Sequence, residues 1–209
     1  MKKLIRSIFS LSIAASMVAC GGAEKKAETV VEEAPVEETV EVKELVINAA
    51  ESKVMWEGSM LGLYSHSGTI NVSEGQLTLE GDKIAAGKFT VDLTTINPTD
   101  ENYQEEEGHT KADLVGHLSS GDFFMVDSFP AATFEVTAHN VEAGTLTGLL
   151  TIRGNTVEEM VKDVQVNAAE GTANGKLVFD RTKYNVSFSH PAKEMVLSDE
   201  ISLDIALKM

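Results

Sequence analysis

The chain has 209 residues, of which 43% are hydrophobic and 24% are charged. This is enough for one core with or without a tail, but not for several domains. Acidic residues number 33 and basic residues 17, so the formal net charge is −16, which argues against nucleic-acid binding and against electrostatic docking on anionic lipid. A single cysteine excludes an internal disulfide framework and a cysteine-rich metal site.

The N-terminus has the pattern of an export signal. Residues 1–7 contain three basic residues, and residues 8–19 are apolar or small, a run too short to span a bilayer but typical of a secretory signal. The run ends at Cys20, in a setting that is similar to the lipobox of bacterial lipoproteins. We therefore expect a signal peptide over residues 1–19 and an acylated Cys20 that anchors the protein to a membrane. The alternative is an ordinary signal peptide with an incidental cysteine near its end.

Residues 20–44 predict an acidic tether. Eight glutamates lie between Gly21 and Glu44, and the apolar residues there are almost all Ala and Val, with no aromatic side chain. Such a segment buries too little surface to offset the entropy of ordering, so we expect disorder. A helix is the rival interpretation, which the like charges and the β-branched valines weaken.

From about Leu45 the hydrophobic period is two, which is typical of strands with one buried face. Glycine-containing breaks such as Glu80-Gly81-Asp82 supply turns. Eight or more short strands at this spacing predict an all-β sandwich or barrel. The apolar residues that we expect to face the interior are Val54, Trp56, Ile70, Val72, Leu77, Phe89, Val91, Phe134, Val136, Leu146, Leu150, Ile152, Leu177, Phe179, Ile201, Leu203 and Ile205.

One segment, from Pro98 to Asp122, is long, acidic and polar and interrupts the strand pattern. Within it Ala112, Val115 and Leu118 recur at helical spacing. The segment therefore predicts a short lid or corner helix in a long loop.

Several motifs in order and spacing identify the domain over residues 45–209. They are Val54-Met55-Trp56, Gly62 to Ile70, Phe123-Phe124, Phe129 to Phe134, Leu146 to Gly154, Phe179 to Tyr184 and Asp199-Glu200-Ile201. With these the chain resembles the YceI-like family of bacterial exported proteins. The resemblance implies an eight-stranded antiparallel, lipocalin-like barrel that holds a long isoprenoid, a quinone or a polyprenyl chain, and export to the periplasm. Met125 and Asn185 depart from the family pattern, which leaves the local loop geometry open.

We expect the binding site to consist mainly of apolar side chains of the barrel interior, with polar residues contributing less. A barrel of eight strands either is filled by its own side chains or holds one small ligand, and periodicity alone leaves both alternatives open. Candidate headgroup contacts are His66, Arg153 and Arg181. For His66 the alternative is a histidine bonded to loop carbonyls; for the two arginines it is a buried Arg–Asp pair that closes the barrel, which we favour.

No motif indicates catalysis or a metal site. His109 and His117 are too far apart for a His-Glu-x-x-His site, and Ser119 lacks the setting of a nucleophile elbow. We expect non-catalytic binding, storage or transport of an isoprenoid lipid by a protein of the cell envelope, periplasmic or on the outer membrane. The alternative function is an envelope scaffold whose filled barrel meets a protein partner through the acidic 98–110 loop. The membrane leaflet and homodimerisation are left open by the sequence.

Overall fold

The structure, a computed structural model, describes residues 41–103, 109–190, 192 and 195–209. The predicted signal peptide, Cys20 and most of the predicted tether lie outside the described residues. The elements are β1 (Val42–Val46), β2 (Lys53–Met60), β3 (Tyr64–Glu80), β4 (Lys83–Pro98), α1 (Lys111–Ser119), β5 (Ala131–Asn140), β6 (Thr145–Ile152), β7 (Asn155–Asn167), β8 (Thr172–Asp180), a 3-10 turn (Arg181–Tyr184) and β9 (Leu197–Lys208).

Strands β2 to β9 close into an eight-stranded barrel. Each strand from β2 to β9 pairs antiparallel with its neighbour in sequence, and β9 pairs with β2 to complete the ring. Closure leaves no long sheet edge among these strands. The prediction of an all-β, eight-stranded antiparallel barrel with one short helix is confirmed.

Strand β1 lies outside the ring and extends one of its strands. It pairs with the second half of β3, from Val42 opposite Glu80 to Val46 opposite Gln76. The expectation that Val42, Lys43 and Glu44 belong to a disordered tether is therefore wrong. Their composition is unfavourable for burial, but the edge of β3 beyond the end of β2 satisfies their backbone hydrogen bonds, which composition does not reveal.

One end of the barrel is packed with side chains. The nine residues that fill it are at most 6% exposed: Ile47, Val72, Leu77, Leu79, Ile84, Leu146, Val161, Ala173 and Leu207. The β3–β4 turn contacts the far side of this end, where Asp82 Oδ1 accepts from the Ala168 amide at 3.2 Å. None of the nine contacts the large cavity that occupies the rest of the interior, so the barrel is solid at one end and hollow at the other.

Helix α1 crosses the hollow end. It begins at a capping box in which Thr110 Oγ1 accepts from the Asp113 amide while the Asp113 carboxylate accepts from the Thr110 amide. The predicted helix is confirmed, but its predicted face is only partly right: Ala112 is exposed, whereas Leu114, His117 and Leu118 face the cavity. Both sets fit helical spacing, so the pattern alone did not distinguish them. In the described part of the chain, no helix combines the length and hydrophobicity needed to cross a membrane.

Candidate functional site

A cavity of about 910 Å³ occupies the hollow end of the barrel. Strands β2, β3, β4, β5, β6, β8 and β9 form its wall. Of the residues predicted to face the interior, those that line it are Val54, Trp56, Ile70, Phe89, Val91, Phe134, Leu150, Ile152, Leu177, Phe179, Ile201, Leu203 and Ile205. The other four do not: Val72, Leu77 and Leu146 lie in the packed end, and Val136 packs partly buried against the core.

Two phenylalanines form the floor between the packed end and the cavity. The rings of Phe89 and Phe134 lie 5.7 Å apart, tilted at 31°. Gly148 lies directly beside the Phe134 ring, where a Cβ atom would come within 2.3 Å of Phe134 Cζ. The glycine in β6 is therefore the reason that this ring can lie against the barrel wall.

The mouth of the cavity is aromatic, a feature that strand periodicity missed. Phe123, Phe124 and Phe188 line it from irregular segments, where no alternation marks the inward face. His117 of α1 makes edge contacts with the Phe123 and Phe188 rings at 4.9 and 4.5 Å and faces Asp122 at 3.3 Å. The list of interior residues predicted from strand alternation therefore contains none of these three phenylalanines.

A polar cluster lies at the same mouth and is built around Asp100. Its carboxylate accepts hydrogen bonds from the Ser67 and Asn102 amides at 3.0 and 2.9 Å, and from Tyr103 Oη at 3.0 Å. His66 Nδ1 lies 3.1 Å from Asp100 Oδ1. Burial raises the pKa of Asp100, but these hydrogen bonds together outweigh burial and hold the pKa at about 2. The alternative considered for His66 was a hydrogen bond to loop carbonyls, but in the structure its Nδ1 lies beside the Asp100 carboxylate instead.

Arg181 and Arg153 brace the backbone near the mouth. Arg181, only 4% exposed, lines the cavity and donates from Nε to Ser198 O, from Nη1 to Val186 O and from Nη2 to Asp199 Oδ1 at 2.9 Å. The sequence favoured a buried Arg–Asp pair; here the arginine is buried, but the side chain of its partner Asp199 is 63% exposed, so the pair as a whole is not buried. Asp180, the sequence neighbour of Arg181, instead accepts from the Thr182 amide and caps the 3-10 turn.

Arg153 does not line the cavity. It donates to the backbone carbonyls of Phe123 and Asn185. This geometry gives it a structural position, tying the segment before β5 to the segment after the 3-10 turn.

The two departures from the family pattern both have left-handed backbone. Met125 has φ 51° and Asn185 has φ 60°. Asn185 ends the 3-10 turn, and asparagine tolerates this conformation better than most residues. Met125 has no such tolerance, so its backbone is strained, and the same holds for Arg153 with φ 49°.

Trp56, the only tryptophan of the chain, stands in the cavity wall. Its Nε1 is buried and has no hydrogen-bond partner among the described residues. No group of three or more metal-ligating side chains occurs in the described ranges. The body of the cavity thus offers mainly apolar contact area, with the polar groups concentrated at the mouth.

Comparisons with known proteins agree with this architecture. Residues 45–209 match the sequence profile of the YceI-like domain. A UPF0312 protein of Pseudomonas aeruginosa (strain LESB58) is 34% identical over 97 residues, which are 46% of this chain and 46% of that protein. A UPF0312 protein of Pseudomonas paraeruginosa matches to the same extent. The chain therefore spans about half the length of the curated relatives it matches.

Two solved structures are similar to this chain in three dimensions. BcnA of Burkholderia cenocepacia superposes with a TM-score of 0.58 at 23% identity, covering 77% of this chain and 98% of BcnA. A polyisoprenoid binding domain from Saccharophagus degradans, implicated in plant cell wall breakdown, has a TM-score of 0.48 at 12% identity, covering 78% of this chain and 95% of that domain. The likeness to BcnA shows the fold alone.

Proposed function

Since this chain belongs to the YceI-like domain family, we propose that its barrel binds one isoprenoid lipid, a quinone or a polyprenyl chain, for storage or transport and without catalysis. The observation that carries the proposal is the cavity. A filled core was the alternative, and the interior of the hollow end is not filled by side chains. The aliphatic and aromatic wall suits a hydrocarbon tail, which gains free energy in proportion to the apolar area removed from water.

The cavity volume fits such a tail. At roughly 30 Å³ per heavy atom, the density of liquid water, 910 Å³ holds about 30 heavy atoms. That corresponds to about six five-carbon isoprene units. A longer chain would extend through the mouth between α1 and the β2–β3 turn.

The test is a titration that uses Trp56 as its reporter. The purified full-length chain is stripped of lipid with organic solvent, refolded, and titrated with a prenylated quinone while the fluorescence of its single tryptophan is recorded. Because Trp56 lines the cavity, we expect a saturable change at one ligand per chain. A change that does not saturate would contradict the proposal.

A matched pair of glycine variants tests the location. Gly58 lines the cavity, and a Cβ there would meet only Ile201 Cδ1, at 3.3 Å, so Gly58→Leu fills the cavity from its wall. Gly116 is exposed on α1, with nothing within 4 Å of an added Cβ, so Gly116→Leu is the control. We expect about 200-fold weaker binding in Gly58→Leu, since roughly four carbons of the tail, at about 0.8 kcal/mol each, lose their place, and unchanged binding in Gly116→Leu. Equal affinities in the two variants would place the ligand elsewhere.

We also propose that the protein is a lipid-anchored protein of the cell envelope, attached through acylated Cys20. The support is the sequence of residues 1–20, in which a basic and then an apolar segment lead to the only cysteine. The test is metabolic labelling with a radioactive fatty acid, comparing the full-length chain with Cys20→Ser. We expect label and membrane sedimentation only with Cys20 present; a wild-type chain without label would contradict the anchor.

A further inference from the structure

His66 is held in one orientation by its neighbours. Tyr103 stacks on its ring at 5.1 Å and 23°, and Tyr64 contacts it edge-on at 5.1 Å. Asp100 fixes the Nδ1 edge at 3.1 Å. A ring held on its faces and on one edge presents its remaining nitrogen, Nε2, in a defined direction, and His66 lines the cavity.

The state of Asp100 decides what His66 Nε2 can do. The Asp100 carboxylate accepts from two backbone amides and from Tyr103 Oη. It is ionised and has no hydrogen to donate, so Nδ1 of His66 must be the donor in their shared bond. In the neutral imidazole Nε2 is then a hydrogen-bond acceptor. The mouth therefore offers an oriented acceptor to whatever occupies the cavity.

The charges around this acceptor disfavour an anionic headgroup. The charged residues known to line the cavity are Glu101, Asp113 and Arg181, besides four histidines. Arg181 is already paired with Asp199 and bonded to two carbonyls. Lys111, beside the cluster, lies 3.5 Å from Glu101. The Asp100 charge lies directly behind His66, and among the described residues that line the cavity no Lys or Arg is unpaired. A phosphate would therefore meet a site of its own sign.

We propose that, within the isoprenoid-binding function on which this inference rests, His66 Nε2 accepts a hydrogen bond from a neutral hydroxyl headgroup, that of a prenyl alcohol or of a quinol. The apolar wall contacts the tail, and the Asp100–His66 pair binds the hydroxyl group. Asp100 acts as a positioning residue, since it touches His66 and sets which nitrogen carries the hydrogen. A headgroup that only accepts hydrogen bonds, such as an ether or a quinone carbonyl, gains nothing from Nε2 in this form.

A series of ligands with one tail and different headgroups tests the proposal. The lipid-stripped full-length chain is titrated at about pH 8, where free histidine is neutral, with farnesol, farnesyl methyl ether, farnesyl diphosphate and the hydrocarbon farnesene. We expect farnesol to bind about tenfold more tightly than the ether and the hydrocarbon, the size of one hydrogen bond, and the diphosphate to bind more weakly than farnesol. A prenylated hydroquinone and the corresponding quinone then show whether the natural hydroxyl belongs to a quinol or to a prenyl alcohol. If it belongs to a quinol, the hydroquinone should bind about tenfold more tightly than the quinone.

Two variants assign the preference to the pair. His66→Phe keeps the aromatic contacts with Tyr64 and Tyr103 and removes both nitrogens, so the ratio of farnesol affinity to farnesene affinity should fall about tenfold. Asp100→Asn keeps the shape but lets an amide donate to Nδ1, which moves the imidazole hydrogen to Nε2. The farnesol-to-ether ratio should then fall towards one, which a loss of structural support alone would not cause. Circular dichroism spectra and melting curves check that both variants fold.

The outcomes of this experiment distinguish a failure of the headgroup proposal from a failure of the isoprenoid-binding function on which it rests. If farnesene binds but farnesol binds no better, the headgroup proposal is wrong and the isoprenoid-binding function stands. If the diphosphate binds best, the charge argument is wrong. If no ligand of the series binds, the proposed function fails, and the headgroup proposal fails with it.

Discussion

Two leucines at opposite ends of the barrel should differ sharply in what their truncation costs. Leu79 is completely buried in the packed end, whereas Leu203 stands in the cavity wall with open space on one side. Leu79→Ala removes about three carbons from a dry core, at about 0.8 kcal/mol each, and leaves a void that adds about 1–2 kcal/mol. We therefore expect a loss of about 4 kcal/mol in the free energy of unfolding.

For Leu203→Ala the same three carbons are removed from a side that is already partly open. The void exists beforehand, so the cavity contribution is absent and only part of the transfer free energy is lost, about 1–1.5 kcal/mol. The assay is urea unfolding of the lipid-stripped full-length chain followed by circular dichroism. A difference of about 2–3 kcal/mol between the variants supports a hollow end, and equal losses would refute the division of the interior into a packed end and a hollow end.

Three further predictions follow from individual contacts. Gly148→Ala places a methyl group 2.3 Å from Phe134 Cζ and should lower the free energy of unfolding by about 1–3 kcal/mol. If the Phe134 ring is responsible, urea unfolding should show a smaller loss when the same substitution is made in a Phe134→Leu background. Equal losses in the two backgrounds would contradict this explanation. The folded-state pKa of Asp100, about 2, lies below the ordinary value of 3.8 for an aspartate, so its contribution to stability is complete above about pH 5 and is lost as the pH falls towards 2. After screening at the cavity mouth we expect a total contribution of about 1 kcal/mol. Between pH 6 and pH 3 the wild type should lose about half of this in addition to whatever Asp100→Asn loses, as measured by unfolding curves, and equal losses in the two proteins would contradict the assignment. Burial, strengthened by the neighbouring Glu159, raises the pKa of Tyr184, so its hydroxyl should ionise only when the protein unfolds; ultraviolet titration of a Tyr184→Phe variant beside the wild type would show a missing late step, and an unchanged titration would contradict the assignment.

Strand alternation predicted most of the cavity wall because each barrel strand has one inward face. In β9, for example, Ile201, Leu203 and Ile205 alternate with exposed residues and all line the cavity. The same alternation does not predict which part of the interior is hollow and which part is filled with side chains. Leu77 and Leu203 have equivalent patterns, yet one lies in the packed end and the other in the cavity wall, because the difference depends on which side chains meet across the barrel.

Alternation also fails where a strand is irregular. In β7 a bulge between Lys162 and Gln165 includes Asp163 with φ 52°, so the inward residues shift from the parity of Val161 to that of Val164. A single alternating pattern therefore describes only one half of this strand at a time.

The polar part of the site had the weakest signal in the sequence. His66 was identified through the family motif, but its partner Asp100 lies 34 residues away in a polar segment, with nothing periodic to mark it. The favoured interpretation, a buried Arg–Asp pair for both arginines, matches the structure only in part: Arg181 pairs with the largely exposed Asp199 of the adjacent strand β9, and Arg153 bonds to backbone carbonyls. Contacts between distant loops depend on closure of the barrel, which brings them together only in three dimensions.

Chemical analysis of what the protein carries tests the central claim most directly. The full-length chain and its Gly58→Leu and Gly116→Leu variants are purified from a bacterial envelope under identical conditions, extracted with organic solvent and analysed by mass spectrometry. We predict one prenyl lipid per chain in the wild type and in Gly116→Leu, and a strongly reduced amount in Gly58→Leu. An extract without prenyl lipid, or one with the same amount from all three proteins, would contradict isoprenoid binding in the cavity.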